Sequence, residues 1–303
     1  MNYNEFENLL KERLIKGNGP KLLIKLIDAP FRYFSLLNLF NFLTKLEQSF
    51  LRTQENNYYK FLNDLVAYFF ISKKFEALEN KLKVLTKDEE SDVILEHKIN
   101  LSHLFRDQNT KTLFCIWQKK RDYYSNNKAI EIIEKFKSDN YLIKKHFEDY
   151  QIKSYLWFVD EEIKTNKHIY IQHLNDDVEN HINVVYGSEL FDFFEDNEYW
   201  KIIQNFQKTF KDKNHDFFLK MPNLDTDKET YEFMIEMSDS LWEKLNLDTE
   251  GHKLIREKIF DLRNENSNYL KAFKMRQIKT TAVDEDDYKI KKYANENNLE
   301  INN

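Results

Sequence analysis

The run from Phe114 to Asp122 holds the residues whose types and spacing are best suited to chemistry. Phe114–Trp117 is apolar throughout and is followed directly by Gln118, Lys119, Lys120, Arg121 and Asp122. On a β-strand, side chains two residues apart point to the same face. An oxygen ligand and a lysine at that spacing suit phosphodiester hydrolysis, because Mg2+ prefers oxygen ligands and a nearby cation orients the attacking water.

Two strands and a helix are predicted to position this run. His97–Leu101 and Lys111–Trp117 lie on either side of a polar turn at residues 107–110, which predicts an antiparallel hairpin. Lys128–Lys137 has the apolar spacing of a helix, with one face formed by Ala129, Ile133 and Phe136. The predicted order is therefore strand, strand, helix.

Further elements are predicted after this helix. Lys153–Val159 and Lys167–Gln172 have the composition of strands, and Asn183–Gly187 predicts a shorter strand that ends at a glycine. Ser188 is a predicted N-cap for the helix that follows. The rest of the chain is predicted to be mostly helical.

These segments, in this order, resemble the type II restriction endonucleases of the PD-(D/E)xK nuclease superfamily. The resemblance covers about residues 90–195, and the matching segments are His97–Leu101, Ile116–Asp122, Ala129–Phe136, Tyr155–Asp160 and Tyr186–Phe191, the last being similar to a YGxELF-like segment. It implies an α/β fold with a central mixed sheet flanked by helices, and with helical N-terminal and C-terminal regions. It also implies sequence-specific cleavage of double-stranded DNA with Mg2+, by a homodimer that functions with a cognate DNA methyltransferase in a restriction-modification system.

The resemblance implies catalytic roles for four residues. Asn100 stands where the family has an aspartate on the first strand. Lys119 or Lys120 is the lysine that orients the attacking water, and the position of the second acid then falls on Trp117 or Gln118, respectively. The sequence therefore predicts a catalytic set in which neutral residues stand at both acidic positions.

The implied Mg2+ site has weakened ligands. A neutral amide offers one oxygen but no charge to a divalent ion, so nearby acids are expected to supply the missing charge. The predicted metal ligands are Asn100, Gln118, Glu96 and Glu131. Other acids near the site in sequence are Asp64, Asp107 and Glu134.

Local basic residues predict where DNA is bound. Between Lys111 and Lys128 there are five basic residues and one acid, so Arg121 and Lys128 are predicted phosphate contacts. A second basic set lies late in the chain and includes Arg256 and Arg263, of a residue type that reads guanine edges.

Composition limits the class of protein. The 303 residues include a single cysteine, Cys115, which excludes an internal disulfide and a cysteine-based zinc site. The N-terminal residues lack the pattern of a secretory signal, and residues 31–46 include charged and polar side chains, so neither export nor a membrane span is predicted. A cytoplasmic location fits best. The net charge of −6 means that DNA binding must come from local patches.

The chain is predicted to be one compact domain with added helices, because four glycines and three prolines form no linker. The predicted regions are an N-terminal helical region at 1–88, a nuclease-like α/β core at 89–195, a helical region at 196–279 and a charged, flexible tail at 280–303.

Two other hypotheses stay open from the sequence. The chain can be a catalytically degenerate nuclease-fold subunit that binds DNA or a partner, or a helical interaction protein in which the hairpin is incidental. The number of carboxylates near Lys119 separates an enzyme from a degenerate binder, and salt-dependent affinity for DNA separates both from the interaction protein.

Overall fold

The structure is a computed structural model and describes residues 1–87, 94–174, 181–214 and 220–297. Internal contacts divide the chain into two compact units, one formed by Met1–Glu7 and Tyr59–Lys213 and the other by Asn8–Tyr58 and Asn214–Asn303. This division differs from the predicted contiguous regions, and the predicted boundary between residues 88 and 89 lies outside the described residues. In the described ranges, no helix combines the length and the apolar character that crossing a bilayer requires.

The first unit is an α/β structure, as predicted. Its strands are β1 (Glu76–Ala77), β2 (Lys81–Lys87), β3 (Ile94–Asn100), β4 (His103–Asp107), β5 (Thr112–Lys119), β6 (Gln151–Phe158) and β7 (Ile182–Tyr186). Its helices are α5 (Asn126–His146), α6 (Lys167–Leu174), α7 (Glu189–Asp192) and α8 (Asn197–Asn214), with parts of α1 (Tyr3–Ile15) and α4 (Phe42–Ser72).

The central sheet has five strands in the order β1-β4-β5-β6-β7. Strands β4 and β5 pair antiparallel, whereas β5, β6 and β7 are parallel to one another, so the sheet is mixed. Helix α5 connects β5 to β6, because parallel neighbours need a crossover. The predicted mixed sheet flanked by helices is confirmed.

Strand β5 is buried on both faces, which explains its continuous apolar sequence. One face packs against the apolar stripe of α5 in a core that includes Leu113, Cys115 and Trp117. Phe114 on the other face lies among aromatic side chains, including Phe70, Phe75, Phe105 and Phe194.

The predicted hairpin of His97–Leu101 with Lys111–Trp117 is wrong. Strand β3 pairs with β2 in a separate two-stranded sheet, and the strand that pairs with β5 is β4. The chain passes from one sheet to the other at Leu101 and Ser102, whose N–H groups donate to the carbonyls of Asn80 and Ile116, respectively. Alternation of side chains predicts β3 and β5, but it predicts neither β2, which lies in the region expected to be helical, nor β4.

The predicted strand at Lys167–Gln172 is also wrong, because this segment begins helix α6. Ile169 and Tyr170 are buried as neighbours on the inner face of that helix. Their placement there depends on tertiary contacts, which override the preference of β-branched and aromatic residues for strands. The predicted strands at 153–159 and 183–187 correspond to β6 and β7.

The second unit is helical in its described residues. It contains α2 (Asn18–Asp28), α3 (Phe31–Phe34), α9 (Lys228–Glu236), α10 (Asp239–Leu245), α11 (Glu250–Ile259), α12 (Asn268–Thr281) and α13 (Glu285–Glu296). Its core includes Leu23, Leu26, Met234, Ala272 and Met275. The charged segment after residue 280 thus contains a helix that its hydrophobic pattern did not predict, and residues 298–303 lie outside the described ones.

Candidate functional site

Lys119 is the last residue of β5 and Lys120 follows it, and the side chains of these two candidate lysines lie on opposite faces of the sheet. Trp117 packs against Phe136 of α5 with ring centroids 4.8 Å apart, and Lys119 follows it on that face. Gln118 contacts His103 of β4, and Lys120 lies over the Tyr59 ring of α4, 5.1 Å from its centroid. The two alternatives for the catalytic lysine, Lys119 and Lys120, therefore lie in separate environments.

On the α5 face, Lys119 lies close to two other lysines. Burial lowers the pKa of Lys119, and the positive charges of Lys128 and Lys135 lower the pKa further. The charged groups that shift Lys119 are thus both cations. Each of these two lysines has a carboxylate partner. Lys128 Nζ lies 2.6 Å from Glu131 Oε2, and Lys135 Nζ lies 3.0 Å from Asp139 Oδ1. The two acids offset the charges of Lys128 and Lys135, so the net positive charge of this cluster corresponds to Lys119.

On the other face, the side chain of Gln118 contacts that of His103. His103 Nε2 lies 3.1 Å from Gln118 Oε1, and the backbone N–H of Gln118 donates to Ser102 Oγ at 2.8 Å. Gln118 Nε2 has no hydrogen-bond partner in the described part of the chain, although its proximity to the Tyr59 hydroxyl lowers the pKa of that group. Burial is the larger effect and raises the pKa of Tyr59 to about 12.

Burial of His103 predicts an acid-sensitive stability. Desolvation lowers the pKa of His103 below its ordinary value, and the hydrogen bond to Gln118 opposes this only in part. As pH falls below about 6.5, the unfolded chain therefore takes up a proton that the folded chain does not. The free energy of unfolding should fall by about 1.4 kcal/mol for each unit by which folding lowers the pKa.

Urea unfolding between pH 7.5 and pH 5 measures this effect. We expect His103→Gln to flatten the decrease in stability over that range, because the uncharged side chain takes up no proton in either state. His146→Gln, which changes an exposed histidine of the same unit, is the matched control. An unchanged decrease in His103→Gln would show that another group causes it.

The four predicted metal ligands lie on three different elements. Asn100 and Glu96 lie on β3, where Asn100 is exposed and Glu96 pairs with Lys98 at 3.6 Å. Glu131 lies on α5 and pairs with Lys128, and the oxygen of Gln118 is occupied by His103. This arrangement does not fit a Mg2+ site, because the ion prefers several converging carboxylate oxygens. Across the described residues, no group of three or more His, Cys, Asp or Glu side chains is placed to hold a metal ion.

The predicted DNA-contacting residues have different environments. Arg121 is exposed and pairs with Asp160 at 3.2 Å, and Lys128 is exposed in the first turn of α5. Arg263 is exposed in the second unit. Arg256 of the same unit donates to the carbonyls of Leu245 and Leu247, so its guanidinium satisfies backbone groups at the end of helix α10 and just beyond it.

Sequence reasoning missed Asp122, which is wholly buried just beyond β5. Its carboxylate accepts hydrogen bonds from Asn166 N at 2.7 Å and Nδ2 at 2.9 Å, from Tyr170 at 3.0 Å and from Tyr186 at 2.9 Å. Burial, and then the charge of Asp122, raise the pKa of both tyrosines, which therefore stay protonated as donors. Asp122 thus joins the end of β5 to α6 and β7.

The signal for Asp122 in the sequence was weak. It is the one acid in the basic stretch between Lys111 and Lys128, and its donors lie 44 to 64 residues later in the chain. Only the fold brings these residues together. His103 is not among the predicted site residues, because no acid lies within three positions of it in the sequence to distinguish it from an ordinary core histidine.

Comparison with known proteins identified no relatives. No protein-family model matches the chain, and no curated protein matches its sequence.

Proposed function

We propose that this chain is a nuclease-fold protein that binds double-stranded DNA without cleaving it at the β5 site. The observation that carries the proposal is the cluster of Lys119, Lys128 and Lys135, in which two lysines of α5 act on the half-buried Lys119 at the end of β5. Glu131 and Asp139 offset the charges of Lys128 and Lys135, which leaves one net positive charge in the cluster. The phosphates of nucleic acid supply counter-charge at regular intervals.

The start of α5 adds groups suited to phosphate. The 21-residue helix begins at Asn126, and its first N–H groups carry the positive end of the helix dipole. Exposed polar side chains flank this end, namely Arg121, Tyr123, Ser125, Asn126 and Asn127. Hydrogen bonds from such side chains and from backbone N–H groups are the usual contacts to the DNA backbone.

The uncharged contact between Gln118 and His103 is the reason to propose that bound DNA is not cleaved. Gln118 stands at one of the positions where the resemblance implies an acid, and its oxygen contacts His103. The charged groups acting on Lys119 are lysines. Hydrolysis with an orienting lysine also needs a metal ion that lowers the pKa of the attacking water. Neither Gln118 nor His103 provides a carboxylate for that ion. DNA binding is therefore better supported than hydrolysis.

A binding titration tests the proposal. Fluorescence anisotropy with a duplex at 50 to 200 mM salt should show salt-dependent binding by the wild type. Lys119→Ala/Lys128→Ala/Lys135→Ala should weaken binding at least about tenfold and make the slope of log K against log salt shallower by about 2 to 3, since each lost phosphate contact contributes about 0.9. Binding that is independent of salt would instead favour the helical interaction protein.

The matched control removes charge from the far end of α5. Lys144→Ala/Lys145→Ala in the last turn changes the net charge without touching the cluster, and it should keep most of the wild-type affinity. Equal losses in both variants would show that the overall charge, and not the cluster, governs binding.

A cleavage assay with Mg2+ separates the two nuclease-fold hypotheses. We expect the wild type to leave duplex DNA intact under conditions in which it is bound. Cleavage by the wild type that is lost in Lys119→Ala or Lys120→Ala would overturn this part of the proposal and favour a restriction endonuclease.

A further inference from the structure

An apolar segment of the second unit carries three leucines that are almost wholly exposed. The exposed fractions are 98% for Leu36, 96% for Leu37 and 97% for Leu39. Three neighbours in sequence are more than half exposed, and with the leucines they form the apolar patch of Phe31, Leu36, Leu37, Leu39, Phe40 and Leu43. Leucine is among the residues most often buried, and a run of exposed apolar side chains marks an interaction site.

Local contacts hold the loop that carries the patch. The rings of Phe34 and Phe42, on either side of the loop, stack with centroids 4.9 Å apart. Within the loop, Ser35 Oγ accepts from the N–H of Leu37 at 3.2 Å, and Asn38 Oδ1 accepts from the N–H of Phe40 at 3.3 Å. Polar side chains thus satisfy the backbone while the leucines face solvent.

We propose that the apolar patch is the contact between two copies of this chain in a two-fold dimer. In such a contact a surface meets its own copy, so it must not repel itself. Residues 31–44 include one charged residue, Arg32, and are otherwise uncharged. The patch therefore meets its copy without crowding like charges, whereas it has too little positive charge to attract DNA or an anionic membrane.

The area of the patch is sufficient for a small stable interface. Six exposed apolar side chains at roughly 100 Å2 each give about 600 Å2 per copy. Two copies then bury about 1,200 Å2, which is the lower end of the range for specific interfaces. This proposal is independent of the DNA-binding proposal, because it concerns a different surface and needs no nucleic acid.

Sedimentation velocity at micromolar concentration tests the dimer. We expect a dimer for the wild type and a monomer for Leu36→Ser/Leu37→Ser/Leu39→Ser. This variant should keep its fold, as judged by circular dichroism, because the three side chains are exposed. The matched control, Leu85→Ser/Leu262→Ser/Val283→Ser, changes exposed apolar residues elsewhere and should stay dimeric. A monomeric wild type, or a patch variant that stays dimeric, overturns the proposal.

Thiol cross-linking tests the same contact by position. The one native cysteine, Cys115, is wholly buried, so Leu37→Cys introduces a single accessible thiol. A short bis-maleimide should join two copies of Leu37→Cys efficiently and should not join two copies of Val283→Cys, whose position is 89% exposed outside the patch. Equal cross-linking at both positions would contradict a contact at the patch.

A vesicle assay tests whether the apolar patch binds a lipid surface instead of a second copy of the chain. Co-flotation with phosphatidylcholine vesicles should be absent for the wild type. Binding of a monomeric wild type to these vesicles, lost in the triple serine variant, would assign the patch to lipid and overturn the dimer.

Discussion

Replacing Asp122 by asparagine is expected to lower the free energy of unfolding by about 2 to 4 kcal/mol. The wholly buried carboxylate accepts hydrogen bonds from both nitrogens of Asn166 and from the hydroxyls of Tyr170 and Tyr186. An amide keeps one acceptor oxygen, and its NH2 group must face donors. One N–H group of Asn166 then loses its acceptor, because a tyrosine hydroxyl can turn to accept from the amide but an N–H cannot. The connection of the end of β5 to α6 and β7 is weakened.

Urea unfolding followed by tryptophan fluorescence and circular dichroism measures this loss. Asp149→Asn, which makes the same chemical change at an exposed position of the same unit, should alter stability by less than about 0.5 kcal/mol. A loss below about 1 kcal/mol in Asp122→Asn would mean that the carboxylate charge contributes little to this connection.

The Asp122 variant also separates folding from binding. Because the carboxylate is buried, it contacts no ligand, and its substitution acts through the position of the segment that follows Lys119. DNA affinity measured well below the unfolding midpoint should therefore change less than in the triple lysine variant. A larger loss of affinity in Asp122→Asn would show that binding depends on how this segment is held.

The elements predicted well are those whose own sequence carries the packing pattern. Strand β5 is a continuous apolar run because both of its faces are buried, and α5 has its apolar stripe because one face packs on the sheet. The apolar runs at 153–159 and 183–187 predict strands β6 and β7 in the same way.

The parts that were predicted wrongly depend on contacts distant in sequence. Residues 94–107 form two strands in two sheets, and no local pattern assigns β3 to β2 instead of β5. Asn100 was therefore placed beside Gln118, where the structure has His103. The nearness of Lys135 to Lys119 follows from the packing of α5 on the sheet, which the sequence predicted only in outline.

The segment that is similar to YGxELF has a structural reason for each of its first four residues. The Tyr186 hydroxyl donates to Asp122, and the Gly187 N–H donates to the Phe158 carbonyl at 2.8 Å. Ser188 occupies the predicted N-cap position of α7, but its side chain makes no capping hydrogen bond to that helix. Its N–H and hydroxyl donate to Glu161 instead. Glu189 accepts from the N–H of Tyr186. These contacts join β7 to its surroundings.

Gly187→Ala should accordingly lower the free energy of unfolding by about 2 to 4 kcal/mol. Gly187 has φ of +48°, in the left-handed region, where an alanine costs about 1 kcal/mol. An added Cβ would also lie 2.5 Å from the Cβ of Glu161. That atom is fixed to the backbone, so the clash is relieved only when the chain around Gly187 or Glu161 moves.

A double-mutant cycle separates these two causes. In a Glu161→Gly background the opposing Cβ is absent, and Gly187→Ala should then cost only the conformational term of about 1 kcal/mol. Glu161→Gly alone is the reference, because it also removes the acceptor for Ser188. Urea unfolding of the four proteins gives the coupling, which we expect to be about 1 to 3 kcal/mol. An equal cost of Gly187→Ala in both backgrounds would assign the whole effect to the backbone conformation, since only the steric term depends on Glu161.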